Sequence, residues 1–283
     1  MSAIRLNRVH IERTQHIVKE ERIVKLGCFA FANQIETVET LGYDCIELDL
    51  TEICAMSEGQ FDELRRRVEH SKLGFEVFSG LIPLSVRFHA PDFDEAYWLD
   101  HVALAAKRAA RLGAVMIPLG AGKCRSIPED CKDVPAAKEH IRQLVRKMSD
   151  ILASEHIMMV VEPLGPANSN YLNTIPETVE FVKAVNRPNC LTMCDMRHMF
   201  KLDEPFSDIA ACAQYIRHAH IDYPRGAARL FPQEADDYDY RPYIRALREA
   251  DYDAILTIEA TDYADFAKEA GASQIYLRKL LAE

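Results

Sequence analysis

The chain has no Cys-x-x-Cys pair, no uncharged apolar stretch approaching a membrane span, and no basic cluster free of neighbouring acids. Each absence excludes a class of protein. Its eight cysteines, at 28, 45, 54, 124, 131, 190, 194 and 212, lie in part within apolar runs such as CIELDL and CLTMCD. In a chain of 283 residues they read as reduced, mostly buried thiols and not as a secreted disulfide framework. The opening segment MSAIRLNRVHIERTQHIVKEER carries charges every few residues and no apolar signal core, so the expected location is cytoplasmic, with no membrane partner. The densest basic run, Arg65-Arg66-Arg67, is flanked by Asp62, Glu63 and Glu69 and reads as a solvated helix face. With 44 acidic residues against 34 basic ones, a net charge of −10, the long-range field repels nucleic acid, and no nucleic-acid partner is expected.

What the chain does have is enough apolar content, 48% against 28% charged, for one large domain. That domain is expected over 23–283, preceded by an N-terminal extension over 1–22. Short apolar runs recur at KLGCFAFA (25–32), CIELDL (45–50), FEVFSGL (75–81), VMIPLG (115–120), MMVVEPL (158–164), LTMCDM (191–196), IRHAHID (216–222) and AILTIEA (254–260). Helical patterns with start signals lie between them: Ser57 before EGQFDELRRRVEH, Asp94 before EAYWLDHVALAAKRAARLG, Thr174 before IPETVEFVKAV, and the long VPAAKEHIRQLVRKMSDILASEH. Strand and helix in alternation predict a parallel sheet. Eight repeats predict closure into an α/β fold of the (β/α)8 TIM-barrel type, in a single domain. A faint internal echo between LGYDCIELD (41–49) and ADYDAILTIEA (250–260) places Glu47 and Glu259 alike at strand ends.

Four of the later runs end on a potential metal ligand: Glu162, Asp195, His220 and Glu259. In a parallel barrel the carboxyl ends of strands share one rim, so these four would lie along one arc. Singly, each acid has an ordinary explanation as a helix cap or rim ion pair. Together, a desolvated acid on each of three strands and an imidazole on a fourth favour a shared cation. Three carboxylates and one imidazole, with no thiolate, suit Mn²⁺ as the preferred ion, with Mg²⁺ or Co²⁺ as alternatives.

These residues resemble a known family. From Lys25 to Glu259 the chain is similar to the sugar phosphate isomerase/epimerase superfamily of xylose isomerase-like barrels, and within it to the D-tagatose 3-epimerase-type ketose epimerases. The segment EPLGPANSNYLNT (162–174), the Asp-x-x-His pair of MCDMRHM (193–199) and the His-x-His of RHAHID carry the likeness. The resemblance implies that Glu162, Asp195, His220 and Glu259 are the metal ligands, that Glu162 and Glu259 are also the catalytic acid/base pair, and that His198 contacts a small sugar substrate. It further implies a homo-oligomer, a dimer or tetramer. The chemistry is C3 epimerisation: a proton is taken from the carbon beside a ketose carbonyl and returned to the other face, through an enediolate that a cation stabilises. His198, three residues past Asp195, has an alternative reading as a capping histidine. His218 is assigned a structural role, pointing away from His220.

Two departures bear on the substrate. Asn168 stands where those epimerases carry a second glutamate six residues after the first. The loop YPRGAARLFPQEADDYDY (223–240) lacks their Pro-Gly-x-Gly turn but keeps an arginine, Arg225 or Arg229. The substrate contacts implied are therefore His198, Arg225 and Asn168. Cys28, Phe29, Phe78 and Gly120 form an apolar wall on the early strands or belong to the ordinary core. Other outcomes are open: a metal-dependent lyase or dehydratase acting on an inosose, 3-keto-sugar or C-glycoside, or a sugar-binding barrel without catalysis. An apurinic endonuclease of the same superfamily needs extra histidines at the ends of strands three and four, where the chain has Phe78-Ser79-Gly80 and Leu119-Gly120.

Overall fold

The eight apolar runs become eight strands: β1 Lys25–Ala30, β2 Cys45–Asp49, β3 Gly74–Ser79, β4 Met116–Leu119, β5 Met158–Val161, β6 Cys190–Asp195, β7 Ile216–Ile221 and β8 Ile255–Ile258. The computed structural model describes residues 24–283. In it the strands pair in parallel in chain order, and β1 closes on β8. The fold is thus the expected (β/α)8 barrel. The N-terminal extension read over 1–22 lies outside the described residues.

Local chemistry sets the helix boundaries. Asp94 accepts the Tyr97 amide at 3.1 Å to start the helix Glu95–Leu112, which stops at Gly113, where φ is 102°. That conformation costs a side chain energy and glycine none. Ser57 and Thr174 likewise accept amides at the starts of Glu58–His70 and Ile175–Val185, and Pro176 fits the first turn of the latter because that turn leaves its amides free. Apolar faces of these helices pack on the outer wall of the barrel, with Val102, Ala105 and Ala109 fully buried against it. Among the described residues no helix is long and apolar enough to cross a membrane.

Inside the barrel, alternation decides what points inward. Two small apolar clusters, Cys45 with Val77 and Ile255, and Met116 with Val160 and Met193, fill the interior. Two residues further along the same faces stand Glu47, Ser79, Glu162, Asp195 and Thr257, all but Ser79 buried. The interior therefore changes from apolar to polar towards the carboxyl ends of the strands. His218 does not point away from His220 as the sequence reading had it: residues two apart on a strand share a face, and the two rings meet at 4.7 Å between centroids.

Candidate metal centre

Glu162 directly follows β5, Asp195 ends β6, His220 is the penultimate residue of β7 and Glu259 directly follows β8. One ligand atom from each falls within 4.8 Å of all the others. His220 Nδ1 is the hub, 3.2 Å from Glu259 Oε2 and 3.7 Å from both Glu162 Oε1 and Asp195 Oδ2. The side chains of Asp195 and His220 are 1% exposed while that of Glu259 is 19% exposed, so the cluster opens to solvent on the β8 side.

The cluster fits a divalent cation on its own geometry. Glu162 Oε1 and His220 Nδ1 are buried and have no hydrogen-bond partner. Native proteins rarely leave buried polar atoms orphaned, and a cation at this point would satisfy both. Gly120, at the end of β4, makes room for the group: a Cβ there would collide with the Glu162 carboxylate. Three oxygen donors and one imidazole nitrogen form a donor set suited to Mn²⁺, Mg²⁺ or Co²⁺.

Crowding displaces the acidities in opposite directions. Burial, reinforced by the charges of Glu259 and Asp195 and partly offset by His220, pushes Glu162 up to about 7. Burial also acts to raise Asp195 and Glu259, but the surrounding cations outweigh it: His198, His220 and Arg229 hold Asp195 low, and Arg229 and His220 hold Glu259 low. For His220 burial acts to lower the value, and the carboxylates of Glu47 and Glu259 together with Asp195 and Glu162 raise it well above an ordinary histidine.

Around this centre stand residues that the sequence named only as an alternative, as it did Arg229 beside Arg225, or not at all. Arg229 forms an ion pair with Glu259, lies 3.9 Å from Asp195 Oδ2 and 3.8 Å from Asp222 Oδ2, and approaches His198 Nε2 at 3.1 Å. Its backbone amide is held by Asp262, and its carbonyl accepts the amides of Thr261 and Asp262, so the loops after β7 and β8 are tied together. Arg225, by contrast, is half exposed, pairs with Asp237 at 3.5 Å and lies over the Phe200 ring. Of the two arginines, the structure brings Arg229 to the cluster. Buried Arg197 explains the loop's course: it donates to Asp222 and to the carbonyls of Tyr223, Gly226 and Ala227. Burial and the charge of Asp195, offset in part by Arg229 and Arg197, push Asp222 up to about 8.

Arg125 does the same on the other side of the site. Fully buried, it donates to the carbonyls of Leu119, Glu162, Tyr171 and Leu172, clamping the ends of β4 and β5 to the loop that follows. Leu172 sits at φ 61°, a left-handed conformation costly for a non-glycine residue, and its carbonyl is held by both Arg125 and the Leu164 amide. No motif announced a charged side chain that spends all its hydrogen bonds on carbonyls.

The remaining candidates divide. His198 is capped and is not itself the cap, which is Asp195. Its amide donates to Asp195 Oδ1 at 2.9 Å, and its Nδ1 accepts the Gly165 amide, leaving Nε2 facing Glu162 Oε1 at 3.8 Å. Asn168 is exposed in the turn after β5 and lines a cleft of about 520 Å³ with Arg87, His89 and Lys123; none of the four cluster residues borders that cleft. Cys28 and Phe78 are fully buried in the main core.

The sequence matches the family described as xylose isomerase-like TIM barrel over residues 35–280. No curated protein sequence matches it. Among solved structures the fold is similar to D-psicose 3-epimerase from Clostridium cellulolyticum H10, seen with D-tagatose, at 19% identity over 91% of this chain and 99% of that one, with a TM-score of 0.79. It is similar to D-allulose 3-epimerase from Methylomonas sp. in complex with D-allulose, at 16% identity over 91% and 97% of the two chains, TM-score 0.77. It is also similar to 3-keto-D-glucoside 4-epimerase from E. coli, at 15% identity over 90% and 99%, TM-score 0.75. At such identities the likeness is one of fold.

Proposed function

The chain belongs to the xylose isomerase-like TIM barrel family, and from that premise and the cluster at its rim we propose that it is a divalent-metal-dependent sugar epimerase, acting at the carbon beside a ketose carbonyl. The observation that carries the reading is the convergence of Glu162, Asp195, His220 and Glu259, with two of their atoms buried and unpartnered. Bound by these four residues, preferably as Mn²⁺, a cation supplies Lewis-acid polarisation of the carbonyl and offsets the negative charge that develops when the α-proton leaves. The protein's own residues do the rest. Glu162 and Glu259, from strands three places apart on the rim, are the pair that removes the proton and returns it to the opposite face. Arg229, at the open side, and His198, buried beside it, hold the sugar's oxygens, and Arg229 replaces Arg225 in that role. The similarity to ketose 3-epimerases supports C3 as the site of inversion, and that to a 3-keto-glucoside epimerase supports a 3-keto-sugar as a second substrate class. All eight cysteines are free, which agrees with a cytoplasmic enzyme.

The test is direct. The purified chain is assayed for bound Mn²⁺, then incubated in D₂O with a panel of ketoses, inososes and 3-keto-glycosides. Deuterium incorporation with epimer formation is expected; incorporation with elimination would make it a lyase, and neither metal nor exchange would sink both.

A further inference from the structure

Below the cluster lies a polar layer that the proposed chemistry does not use. Glu47 on β2, Ser79 on β3 and His218 on β7 meet in the barrel interior, where an apolar residue would ordinarily sit. The Glu47 carboxylate faces His218 Nε2 at 2.9 Å and His220 Nε2 at 3.2 and 3.3 Å from its two oxygens, and it accepts the Ser79 hydroxyl. An ionised carboxylate has no hydrogen to give, so each of these neighbours donates. His220 therefore keeps a ring hydrogen on Nε2, and Nδ1 is the nitrogen it can offer bare to a cation among Glu162, Asp195 and Glu259. Without Glu47 the opposite tautomer would win. Glu259 Oε2, only 3.2 Å from Nδ1, would accept a hydrogen there and turn the ring from a ligand into a competing donor.

We propose that Glu47 is a positioning residue which holds His220 in the Nε2–H tautomer and in the ring orientation that aims Nδ1 at the cation, and that His218 and Ser79 in turn hold Glu47. Carboxylate partners of ligating histidines act in this way generally, and their loss costs about 10- to 100-fold in metal affinity. The inference rests on the metal reading above and extends it to a residue on the far side of the barrel.

Two measurements test it. In the Mg²⁺-loaded wild-type chain, ¹⁵N spectra of the His220 ring should show the hydrogen on Nε2 and none on Nδ1; a bare Nε2 overturns the proposal without any variant. In calorimetric titration with Mn²⁺, Glu47→Gln should bind roughly 10- to 100-fold more weakly than wild type. His218→Gln, which keeps an N–H donor for Glu47, should lose much less. Equal affinities of Glu47→Gln and wild type, or equal losses in the two variants, would show that Glu47 does not act through His220. Two Mn²⁺ per chain would overturn it differently, by making Glu47, His218 and His220 a second ion site. A wild-type chain that binds no Mn²⁺ fails the metal reading itself, and this inference falls with it.

Discussion

At the residue scale the four ligands are not equivalent. Glu259 is the most open and is paired with an arginine, whereas Glu162 is buried with an orphaned oxygen. Glu259→Gln keeps the shape and removes the ionisable oxygen, so the chain should stay folded while solvent exchange at the α-carbon drops by about 10²- to 10⁴-fold, the usual contribution of one acid/base group. Deuterium incorporation followed by NMR checks this, and an active variant would mean the proton-transfer assignment is wrong. The two arginines of the loop after β7 give a paired comparison. Arg229→Ala should lower kcat/KM by about 10- to 150-fold, the worth of a charged hydrogen bond of about 1.5–3 kcal/mol, while Arg225→Ala should leave it near wild type. The reverse result would restore Arg225 to the site.

Between strand and helix, the loops at the rim owe their shape to buried side chains rather than to turn motifs. Arg125→Met should leave several carbonyls around β4 and β5 without partners and destabilise the chain by on the order of 3 kcal/mol in urea unfolding. A neutral effect would show that water replaces the guanidinium. Glu204 caps the start of Ile175–Val185 by accepting the Ile175 amide at 2.7 Å, and its other oxygen is buried without a partner. Burial, against the Ile175 amide that favours the anion, pushes its carboxyl up to about 7 from 4.5. Because the folded state then binds the proton more tightly than the unfolded one, this contribution is complete below the unfolded value and is lost as pH rises through about 7. Glu204→Gln retains an acceptor for the amide and cannot ionise. Unfolding free energies from pH 5 to pH 8 should fall for wild type relative to the variant, with a slope no steeper than ~1.4 kcal/mol per pH unit. Parallel curves would show that Glu204 does not titrate in this window.

For the whole molecule, a cation that binds only the folded barrel must stabilise it. At a concentration of 100 Kd, Mn²⁺ should add about 2.7 kcal/mol and raise Tm by roughly 5–10 °C, and EDTA should reverse the change. A thermal midpoint indifferent to both would argue that the four residues hold no ion. The strand ends that carry these ligands were legible in the sequence, since an apolar run that stops on Glu162 or Asp195 is a local pattern. His218 was misread within that same pattern. Glu47, expected at a strand end, lies instead in the middle of β2, two residues before its last residue Asp49, and its partnership with His218 joins positions 171 residues apart and depends on how far round the barrel β2 and β7 stand.

The sequence by itself determined the number of strands and the ligand-bearing ends of the later ones, because alternation, capping and turn chemistry act over a few neighbouring residues. Closure of the barrel decided which of those ends meet, and the loops decided which polar side chains join them. Arg229 rather than Arg225 reaches the cluster because Arg197 and Asp262 fix the loop's course, and Arg125 holds Glu162 through carbonyls contributed by three separate segments. Such contacts are made between segments far apart in the chain, and only the packed barrel brings them within hydrogen-bonding distance.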